Sequence, residues 1–415
     1  MSNKDTGMMS TEKNERLAPL PQLRFPEFRD AGGWRSEFGD EVFDQVSNKN
    51  HNSDLPVLAI TQEHGAIPRN LIDYHVSVAD KSIEGYKVVE VGDFIISLRS
   101  FQGGIEYSKY QGICSPAYVV LRLKCGHSED YFRQLLKTDR FITQLNKNLE
   151  GLRDGKMVSY KQFSELPLPV PSQAEQQKIA DCLSSLDELI TAETQKLDKL
   201  KTHRKGLVQQ LFPSEGETVP LLRFPGFQEA EEWEVKPLAE LAENLDSRRI
   251  PITESNRIKG NIPYYGASGV VDYIDGYIFD EDLLCVSEDG ANLVARTTPI
   301  AFSISGKTWV NNHAHVLRFA SRYSRLLVEA YLNSISLLDY LTGMAQPKLN
   351  RGMLDTIPVP LPRDENERIG IAGCLSAYDE LIAIHDQKID ALKLHKRGLM
   401  QQMFPAISAS SESES

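Results

Sequence analysis

The sequence predicts a mixed α/β protein in which two homologous globular domains are joined by two long helices that pair as an antiparallel coiled coil. Three observations predict this fold class. The ends of the two halves repeat, each repeat closes with a heptad-patterned helix, and each middle alternates strand-like and helix-like segments. Two equivalent halves would be related by a pseudo-twofold axis, so we expect the helices to run antiparallel. The alternative is that each helix packs only on its own domain.

The repeat is confined to the ends of each half. Leu23–Phe28 recurs 199 residues later, and Leu186–Ile190 and His203–Pro213 each recur 192 residues later. The middles, residues 36–160 and 235–350, barely match. The chain therefore combines one duplicated scaffold with two different presented surfaces, as a bipartite recognition protein requires.

The repeated helices carry a coiled-coil seam. The first begins at a capping box, Ser172 to Glu175, and the second at the weaker start Asp364 to Glu367. Steps of three and four residues place apolar side chains at seven of nine positions in each helix, and such a seam needs a partner helix. The predicted coiled-coil residues are Leu183, Leu186, Ile190, Leu197, Leu200, Leu207 and Leu211 in the first helix, and Leu375, Tyr378, Ile382, Ile389, Leu392, Leu399 and Met403 in the second.

Two repeated features beside the seam leave their roles open. Gly206 and Gly398 lie at equivalent places in the helices, where each costs up to about 1 kcal/mol relative to alanine. Either a close approach by a helix or partner, or fraying, would account for them. Alternate prolines in Pro167–Pro171 and Pro358–Pro362 predict a stiff extended connector without ladder donors. A docking site for a proline-reading module is the other interpretation.

The middle of each half is predicted to hold three strands followed by a helix, so the two domains should share a fold. In the first half, the strands are Tyr86–Val91, Phe94–Leu98 and Tyr118–Leu123, and the helix is Glu129–Asn148. In the second half, the strands are Leu283–Val286, Ile300–Ser303 and His315–Phe319, and the helix is Ser324–Ser336.

Composition limits the classes of protein to which the chain can belong. Its 415 residues suggest two or three domains, and 41% hydrophobic and 25% charged residues are typical of globular proteins. No apolar run is long enough for a membrane span, and the N-terminus has no signal-peptide core, so we expect a cytoplasmic protein without a membrane partner. Five scattered cysteines argue against a disulfide framework or a zinc knuckle.

The charge balance is acidic. The net charge is -12, from 46 basic and 58 acidic residues, whereas a dedicated DNA-binding protein is usually basic. If this chain binds DNA, local patches or a partner must supply the positive field.

Motifs for catalysis are incomplete. Ser305–Thr308 ends like a phosphate-binding loop, but Ala301 stands where its first glycine is required, so Gly306 is interpreted as a turn. Asn261–Tyr264 is similar to the catalytic motif of amino-methyltransferases, but Ile262 replaces a proline and no FxGxG cofactor loop is present; a turn at a strand edge is predicted. Asp280–Asp282 is interpreted as a solvated turn. No catalytic residue is predicted.

Candidate DNA-binding residues occur in both halves. Arg99 and Gln102 follow a strand in a segment expected to be flexible, and such side chains can make bidentate base contacts. His313 and His315 alternate along a predicted strand, a spacing that places two metal ligands on one side, but no third ligand is near in the sequence, and no metal site is predicted. With their neighbouring asparagines they suit either base-edge contacts or closure of a turn. The candidates are Arg99, Ser100, Gln102, Lys147, Arg153, Lys156, Arg248, Arg249, Lys307, Asn311, Asn312, His313, His315, Lys348 and Arg351.

Taken together, these features resemble a type I restriction-modification specificity subunit over residues 20–405. The resemblance rests on the paired Leu-Arg-Phe-Pro-x-Phe openings followed by Trp34 and Trp233, the paired proline-rich segments, and helices that end in Gln-Gln-Leu-Phe-Pro and Gln-Gln-Met-Phe-Pro. Glu175–Ala180 matches the family's helix opening. Glu367–Ala372 departs from it by lacking the glutamine and by containing Gly370.

The resemblance implies a fold, partners and cofactors. Two target-recognition domains would lie at opposite ends of an antiparallel helical spacer, and each would read one half of a split, asymmetric site in double-stranded DNA. Two modification subunits would methylate adenine using S-adenosylmethionine, and two restriction subunits would use ATP and Mg²⁺. This chain would bind none of these cofactors and would have no catalytic residues of its own.

The implied domain boundaries follow the repeat. They are a disordered tail at 1–18, a first target-recognition domain at 19–166, a spacer helix at 167–213, a linker and second target-recognition domain at 214–357, a second spacer helix at 358–405, and a disordered tail at 406–415. Two other functions stay open: a stand-alone adenine methyltransferase-like enzyme, which would bind S-adenosylmethionine, and a coiled-coil adaptor that does not bind DNA.

Overall fold

A computed structural model of the chain describes residues 17–51, 54–72, 83–147, 158–343 and 346–405. The chain divides into two compact units, the first formed by residues 1–193 and 388–415 and the second by residues 194–387. Each unit thus contains parts of both halves of the sequence. Within the described residues, no helix is long and apolar enough to cross a membrane.

Among its described residues, the first unit contains eleven short strands and five short α-helices before the first long helix. The strands are β1 Leu17–Ala18, β2 Trp34–Phe38, β3 Phe43–Val46, β4 Leu58–Thr61, β5 Gly65–Pro68, β6 Lys87–Val89, β7 Phe94–Ile96, β8 Glu106–Tyr107, β9 Gly112–Cys114, β10 Val119–Leu123 and β11 Pro167–Val170. The helices are α1 Gly39–Val42, α2 Ser100–Gly103, α3 Glu129–Leu135, α4 Asp139–Lys147 and α5 Tyr160–Ser164.

The second unit follows a similar order. The strands are β12 Glu234–Pro237, β13 Ala242–Asn244, β14 Lys259–Gly266, β15 Gly269–Ile274, β16 Phe279–Asp280, β17 Leu283–Ser287, β18 Ala301–Ile304, β19 Lys307–Val310, β20 Ala314–Phe319 and β21 Pro358–Leu361. The short helices are α7 Leu238–Leu241, α8 Asn292–Ala295, α9 Arg322–Ser334 and α10 Arg351–Thr356. The two long helices are α6 Gln173–Leu211 and α11 Glu365–Met403, each 39 residues long.

Each unit contains its own four-stranded antiparallel sheet, and the two sheets have the same strand order, which confirms the predicted common fold. The order is β3-β10-β7-β8 in the first unit and β13-β20-β17-β18 in the second. What surrounds the sheet differs between the units. The first unit adds the pairs β4-β5 and β6-β9, whereas the second adds the four-stranded sheet β15-β14-β19-β16. The divergent middles of the sequence therefore place different strands on one shared framework.

Several predicted segments take another form. The proline-rich segments are strands and not free connectors: β11 pairs with β2, and β21 pairs with β12. Both are edge strands, where proline's missing donor is tolerated. The helix predicted over Glu129–Asn148 is broken between α3 and α4, because the Thr138 hydroxyl accepts the Phe141 N–H and caps a new helix. Leu17 and Ala18, at the end of the predicted tail, form β1.

All eighteen positions of the predicted seam in α6 and α11 are buried or half-buried. In the first unit, Lys396 contacts Asp187 at 2.7 Å and Lys388 contacts Glu193 at 2.6 Å. Residue numbers rise along one helix as they fall along the other, so these helix segments run antiparallel. The second unit repeats the arrangement with an ion pair of 2.6 Å between Arg204 and Asp379.

The repeated ends close each unit. Phe404 packs against Tyr131 in the first core, with ring centroids 5.4 Å apart, and Phe212 packs against Trp233 in the second, at 5.7 Å. The last turn of each long helix is thereby anchored in a domain core.

A second repeated contact fixes the start of each long helix. Arg24 donates two hydrogen bonds, of 2.7 and 2.8 Å, to the Glu175 carboxylate in the first turn of α6. Arg223 does the same to Glu367 of α11, at 2.7 and 2.9 Å. We call these two pairs the Arg–Glu clamps. Ser172 caps α6 as predicted, but the Glu175 carboxylate is used by the clamp.

Candidate nucleic-acid interface

The candidate residues of the first unit lie around the end of β7. Arg99 and Gln102 are exposed, whereas Ser100 is buried and its hydroxyl accepts the Ser97 N–H at 2.8 Å. The segment is the short helix α2 and not the flexible loop that was predicted. Ser100 therefore holds this turn together and presents no atom to a ligand.

Arg99 lines a cleft of about 730 Å³ with the hairpin β4-β5. Arg69, Thr61 and Gln62 line the same cleft and were missed by sequence reasoning. Two guanidinium groups and an amide on one concave surface can form bidentate hydrogen bonds to base edges. No sequence signal pointed to them, because the hairpin lies about 30 residues before Arg99 and has no motif of its own.

An ion pair adjoins this cleft, because the buried residue Glu106 is one of its lining residues. Lys137 contacts Glu106 at 2.5 Å, and burial raises the pKa of the Glu106 carboxyl while it lowers that of the Lys137 ammonium. Lys147 is exposed at the end of α4. Arg153 and Lys156 lie outside the described residues.

In the second unit, the buried side chain of His315 lies in a network that includes the candidates Arg249 and Lys348, and three further candidates lie in the turn before β20. Nδ1 of the His315 ring lies 2.6 Å from an Asp246 carboxylate oxygen, and Nε2 lies 2.7 Å from the Leu349 carbonyl oxygen. With both nitrogens engaged, His315 is placed to fix neighbouring turns and not to contact a base. The three candidates in the turn are Asn311, Asn312 and His313.

Sequence reasoning also missed the two carboxylates of this network, Asp246 and Glu288. Glu288 accepts from Arg249 at 2.6 Å and contacts Lys348 at 3.1 Å. Burial would raise the pKa of Glu288, but the hydrogen bond from Arg249 and the neighbouring positive charges outweigh it and lower the pKa. Burial opposes ionisation of Asp246 as well, yet its hydrogen bond with His315 leaves its pKa below the usual value.

The same cluster has a ligand set that could be mistaken for a metal site. One ligand atom from each of Asp246, Glu288 and His315 lies within 4.8 Å of the others. Both nitrogens of His315 are already hydrogen-bonded, and Arg249 occupies Glu288. The arrangement fits an ion-pair network. His313 does not join it, because its Nδ1 lies 2.9 Å from Asp289.

Only a few side chains near the His315 network are exposed and available to a ligand. Asn312 and His313 are exposed at the turn before β20, while Asn311 is buried and its side chain accepts the His313 N–H at 2.8 Å. Nearby, the hairpin β14-β15 exposes Val271 and Tyr273, each by 56%. This apolar pair was also missed, because alternation alone does not tell which side of a hairpin is covered.

Three further candidates lie apart from the His315 network. Arg248 contacts Glu281 at 3.3 Å and stacks over Phe279, and Lys307 lies 4.8 Å from the centre of the Tyr277 ring. Arg351 begins α10 and lies 3.4 Å from Asp355. Glu281 also accepts two hydrogen bonds from Arg318, so Asp280–Asp282 is more than the solvated turn predicted.

The motif similar to methyltransferases has no free aromatic face. Asn261–Tyr264 lies inside strand β14 and not at a turn, and Tyr264 is 1% exposed. Its hydroxyl accepts the Ile252 N–H, and Arg257 stacks on its ring at 4.6 Å. A base could not stack on Tyr264 in this arrangement. Gly306, by contrast, forms the predicted turn, with φ of 68° between β18 and β19.

Comparison with known proteins gives a consistent family. The model of the type I restriction modification DNA specificity domain matches residues 42–202 and 230–394. The chain is 24% identical over 366 residues to a type I restriction enzyme specificity subunit of Methanocaldococcus jannaschii, covering 78% of this chain and 80% of that protein. A putative type I restriction enzyme specificity subunit of Haemophilus influenzae is 35% identical over 134 residues; the match spans only 34% of its length and 32% of this chain.

Solved structures show the same fold. The S subunit of a type I restriction-modification system from M. genitalium superposes with a TM-score of 0.58 at 14% identity, covering 94% of this chain and all of that chain. A second structure, from a study of assembly and conformational transition in a type I system, gives a TM-score of 0.53 at 16% identity, covering 91% of this chain and 98% of that chain.

Proposed function

Because the chain belongs to the type I restriction modification DNA specificity family, we propose that it is the DNA-recognition subunit of a type I restriction-modification complex. Each half reads one part of a bipartite, asymmetric site in double-stranded DNA. The observation that carries this proposal is the contrast between the shared sheet, clamps and helix ends of the two units and the different strands attached to them. Duplicated supports with unlike reading surfaces suit a target whose two parts differ.

In the first unit, we place base reading on the cleft lined by Arg69 and Arg99, with Gln62 at its edge and Gln102 and Lys147 as further contacts. In the second, Asn312, His313 and the exposed pair Val271 and Tyr273 form the reading surface. Amide and imidazole groups bond base edges, and apolar groups contact thymine methyls. His315, Arg249 and Lys348 hold this surface in shape through Glu288 and Asp246.

The acidic charge balance favours an assembly in which partner subunits add to the local basic groups of this chain. With a net charge of -12, this chain lacks the field that holds a duplex at physiological salt. Two modification subunits carrying S-adenosylmethionine and two restriction subunits using ATP and Mg²⁺ would supply phosphate contacts and all the catalysis. The chain itself is non-catalytic and works in the cytoplasm, where the DNA is.

The spacer helices complete the proposal. Residues 167–213 and 358–405 act as the spacer between recognition domains 19–166 and 214–357. From Leu183 to Leu211 there are 29 residues, so the seam spans about 43 Å, or about 13 base pairs. Such a ruler would set a fixed unread gap between the two half-sites.

The test is to map methylated adenines in cells that carry the complete system, with and without the gene for this chain. We expect one asymmetric motif with two specified parts separated by a fixed number of unspecified bases, and its loss without this chain. Methylation that persists at the same motif in the absence of the chain would refute the proposal.

A further inference from the structure

In the first unit, Gly103 lies where the two elements that line the proposed reading cleft meet. A Cβ atom added to Gly103 would lie 2.5 Å from Cδ of Gln62 and 2.7 Å from its Nε2. Gln62 belongs to the turn between β4 and β5, so its side chain rests against the last residue of α2. The backbone of Gly103 is helical, with a φ that other residues also adopt. Glycine is therefore required by the close approach of Gln62 and not by the backbone conformation.

Lys137, in the turn between α3 and α4, fixes the end of α2. Its ammonium donates a hydrogen bond of 2.9 Å to the Gly103 carbonyl and contacts the Glu106 carboxylate at 2.5 Å. Gly103 ends α2 and Glu106 begins β8, so one side chain joins both sides of the short link between them. Asn146 of α4 adds a second support, because its amide donates to the Phe101 carbonyl at 2.8 Å. Polar contacts from α4 and the turn before it thus hold α2 in place.

The hairpin β4-β5 lies against the strand that follows α2. Ala66 of β5 forms a parallel bridge with Ser108, directly after β8. The cleft is lined by the hairpin, with Arg69 directly after it, and by the residues before α2, with Arg99. Within the described residues, neither guanidinium forms a hydrogen bond or an ion pair. Both are therefore available to a ligand, and their separation depends on how the hairpin and α2 meet.

We propose that Gly103 and Lys137 are positioning residues for base recognition by the first unit, a role that rests on the proposed function. Gly103 leaves the space that Gln62 occupies, and Lys137 holds the end of α2 against the start of β8. Together they fix the separation of Arg69 and Arg99, and neither of them touches DNA. Bidentate hydrogen bonds to base edges need groups held within about 0.5 Å of the productive geometry, so a displaced hairpin or helix loses discrimination between bases.

Gly103→Ala tests this role without weakening the fold. The added methyl group must displace the side chain of Gln62, which is exposed and can turn aside, and alanine favours a helix more than glycine does. We therefore expect a melting temperature equal to or above that of the wild type. In the complex of the full chain with its partner subunits, discrimination against single-base changes in the first unit's half-site should fall by about tenfold, as the loss of one bidentate contact would give. Discrimination in the other half-site should not change.

Lys137 is tested by two variants and two controls. Lys137→Met removes both contacts of the ammonium and should relax the same positions, whereas Lys137→Arg keeps a cationic donor and should retain most of the discrimination. Gly85→Ala adds a methyl group to the same domain at a place where no described residue lies within 4 Å, and it should change neither stability nor discrimination. Leu168→Ala, in the buried part of β11, should lower the melting temperature and leave discrimination intact.

The measurement is the affinity of each complex for duplexes that carry the methylated motif or its single-base variants. Exchange of residues 36–160 identifies the half-site that the first unit reads. Unchanged discrimination in both Gly103→Ala and Lys137→Met, an equal loss in both half-sites, or a loss that Leu168→Ala reproduces would overturn the positioning role. A wild-type complex that discriminates in neither half-site would instead refute the proposed function.

Discussion

Arg24 and Arg223 each join the opening of one half to the first turn of a long helix. Besides binding Glu175, Arg24 donates to the carbonyls of Ala31 and Gly32, at 3.0 and 3.1 Å. The Arg24 guanidinium thus donates hydrogen bonds both to a buried carboxylate and to two backbone carbonyls of a loop. The repeated Leu-Arg-Phe-Pro segment has this physical role, which its recurrence in the sequence signals but does not explain.

Removal of Arg24 should leave Glu175 buried without its counter-charge. We expect Arg24→Ala to lower the free energy of unfolding by roughly 3–5 kcal/mol. Arg35, whose side chain is 55% exposed beside Glu37, is the control, and Arg35→Ala should cost less than about 1 kcal/mol. Urea unfolding measures both. Equal losses for the two variants would show that the Arg24–Glu175 pair contributes no more to stability than an exposed ion pair does.

Asp246 and Glu288 give the second unit a defined response to acid. Their pKa values are depressed in the folded protein, so the unfolded chain binds more protons as the pH falls. The stability they contribute is complete above their ordinary values of 3.8 and 4.5 and is lost as the pH falls through the lower, folded values.

Asp246→Asn tests this linkage. The variant should be less stable than the wild type at pH 7, and the difference in unfolding free energy should shrink steadily below about pH 4. Urea unfolding from pH 7 to pH 3 gives the curve. A difference that stays constant over this range would mean that the Asp246 charge does not stabilise the His315 network.

At the scale of elements, the last turn of each long helix closes a core. Phe404→Ala should destabilise the first unit, and Phe212→Ala the second, each by about 3–5 kcal/mol. Hydrogen exchange should show lost protection around Tyr131 for the first variant and around Trp233 for the second. Leu394, 70% exposed in α11, is the control, and Leu394→Ala should change stability by less than about 0.5 kcal/mol. Equal loss of protection in both units from either variant would contradict the assignment of these anchors.

Most of the regular helices and strands can be predicted from the sequence. Periodicity located the strands β7, β10, β17 and β20 and the two long helices, because burial imposes a regular spacing on helices and strands. It missed the strands β11 and β21, because proline usually argues against pairing, although an edge strand tolerates it.

The reading surfaces were harder to predict. Asp246 lies 69 residues from His315, and Arg69 lies 30 residues from Arg99. Residue types suggested hydrogen-bonding chemistry, but only the fold decides which groups are used internally. In the structure, Ser100 and His315 hold neighbouring turns in place, although the sequence suggested them as base contacts. Arg69 and Tyr273, which the sequence did not suggest, are candidate base contacts.

For the whole molecule, the proposal that the long helices set the spacing predicts how the gap between the two half-sites depends on helix length. The seam repeats every seven residues, so one added heptad keeps its apolar positions in register. Inserting seven residues after Leu197 and seven after Ile389 should lengthen both helices by about 10.5 Å and widen the unread gap by about 3 base pairs. The half-site sequences should stay the same, and methylation mapping reports both quantities. An active variant with the original gap would show that these helices do not set the spacing.

Independence of the two halves is the central claim, and exchange of one middle segment tests it most directly. Residues 36–160 would be replaced by the corresponding segment of a related specificity subunit, which leaves Arg24, Glu175 and both long helices in place. Methylated adenines would then be mapped in cells carrying the hybrid with its partner subunits. We expect one half-site to change to that of the donor, with the other half-site and the gap intact. A hybrid that is active but alters both half-sites, or neither, would contradict the account.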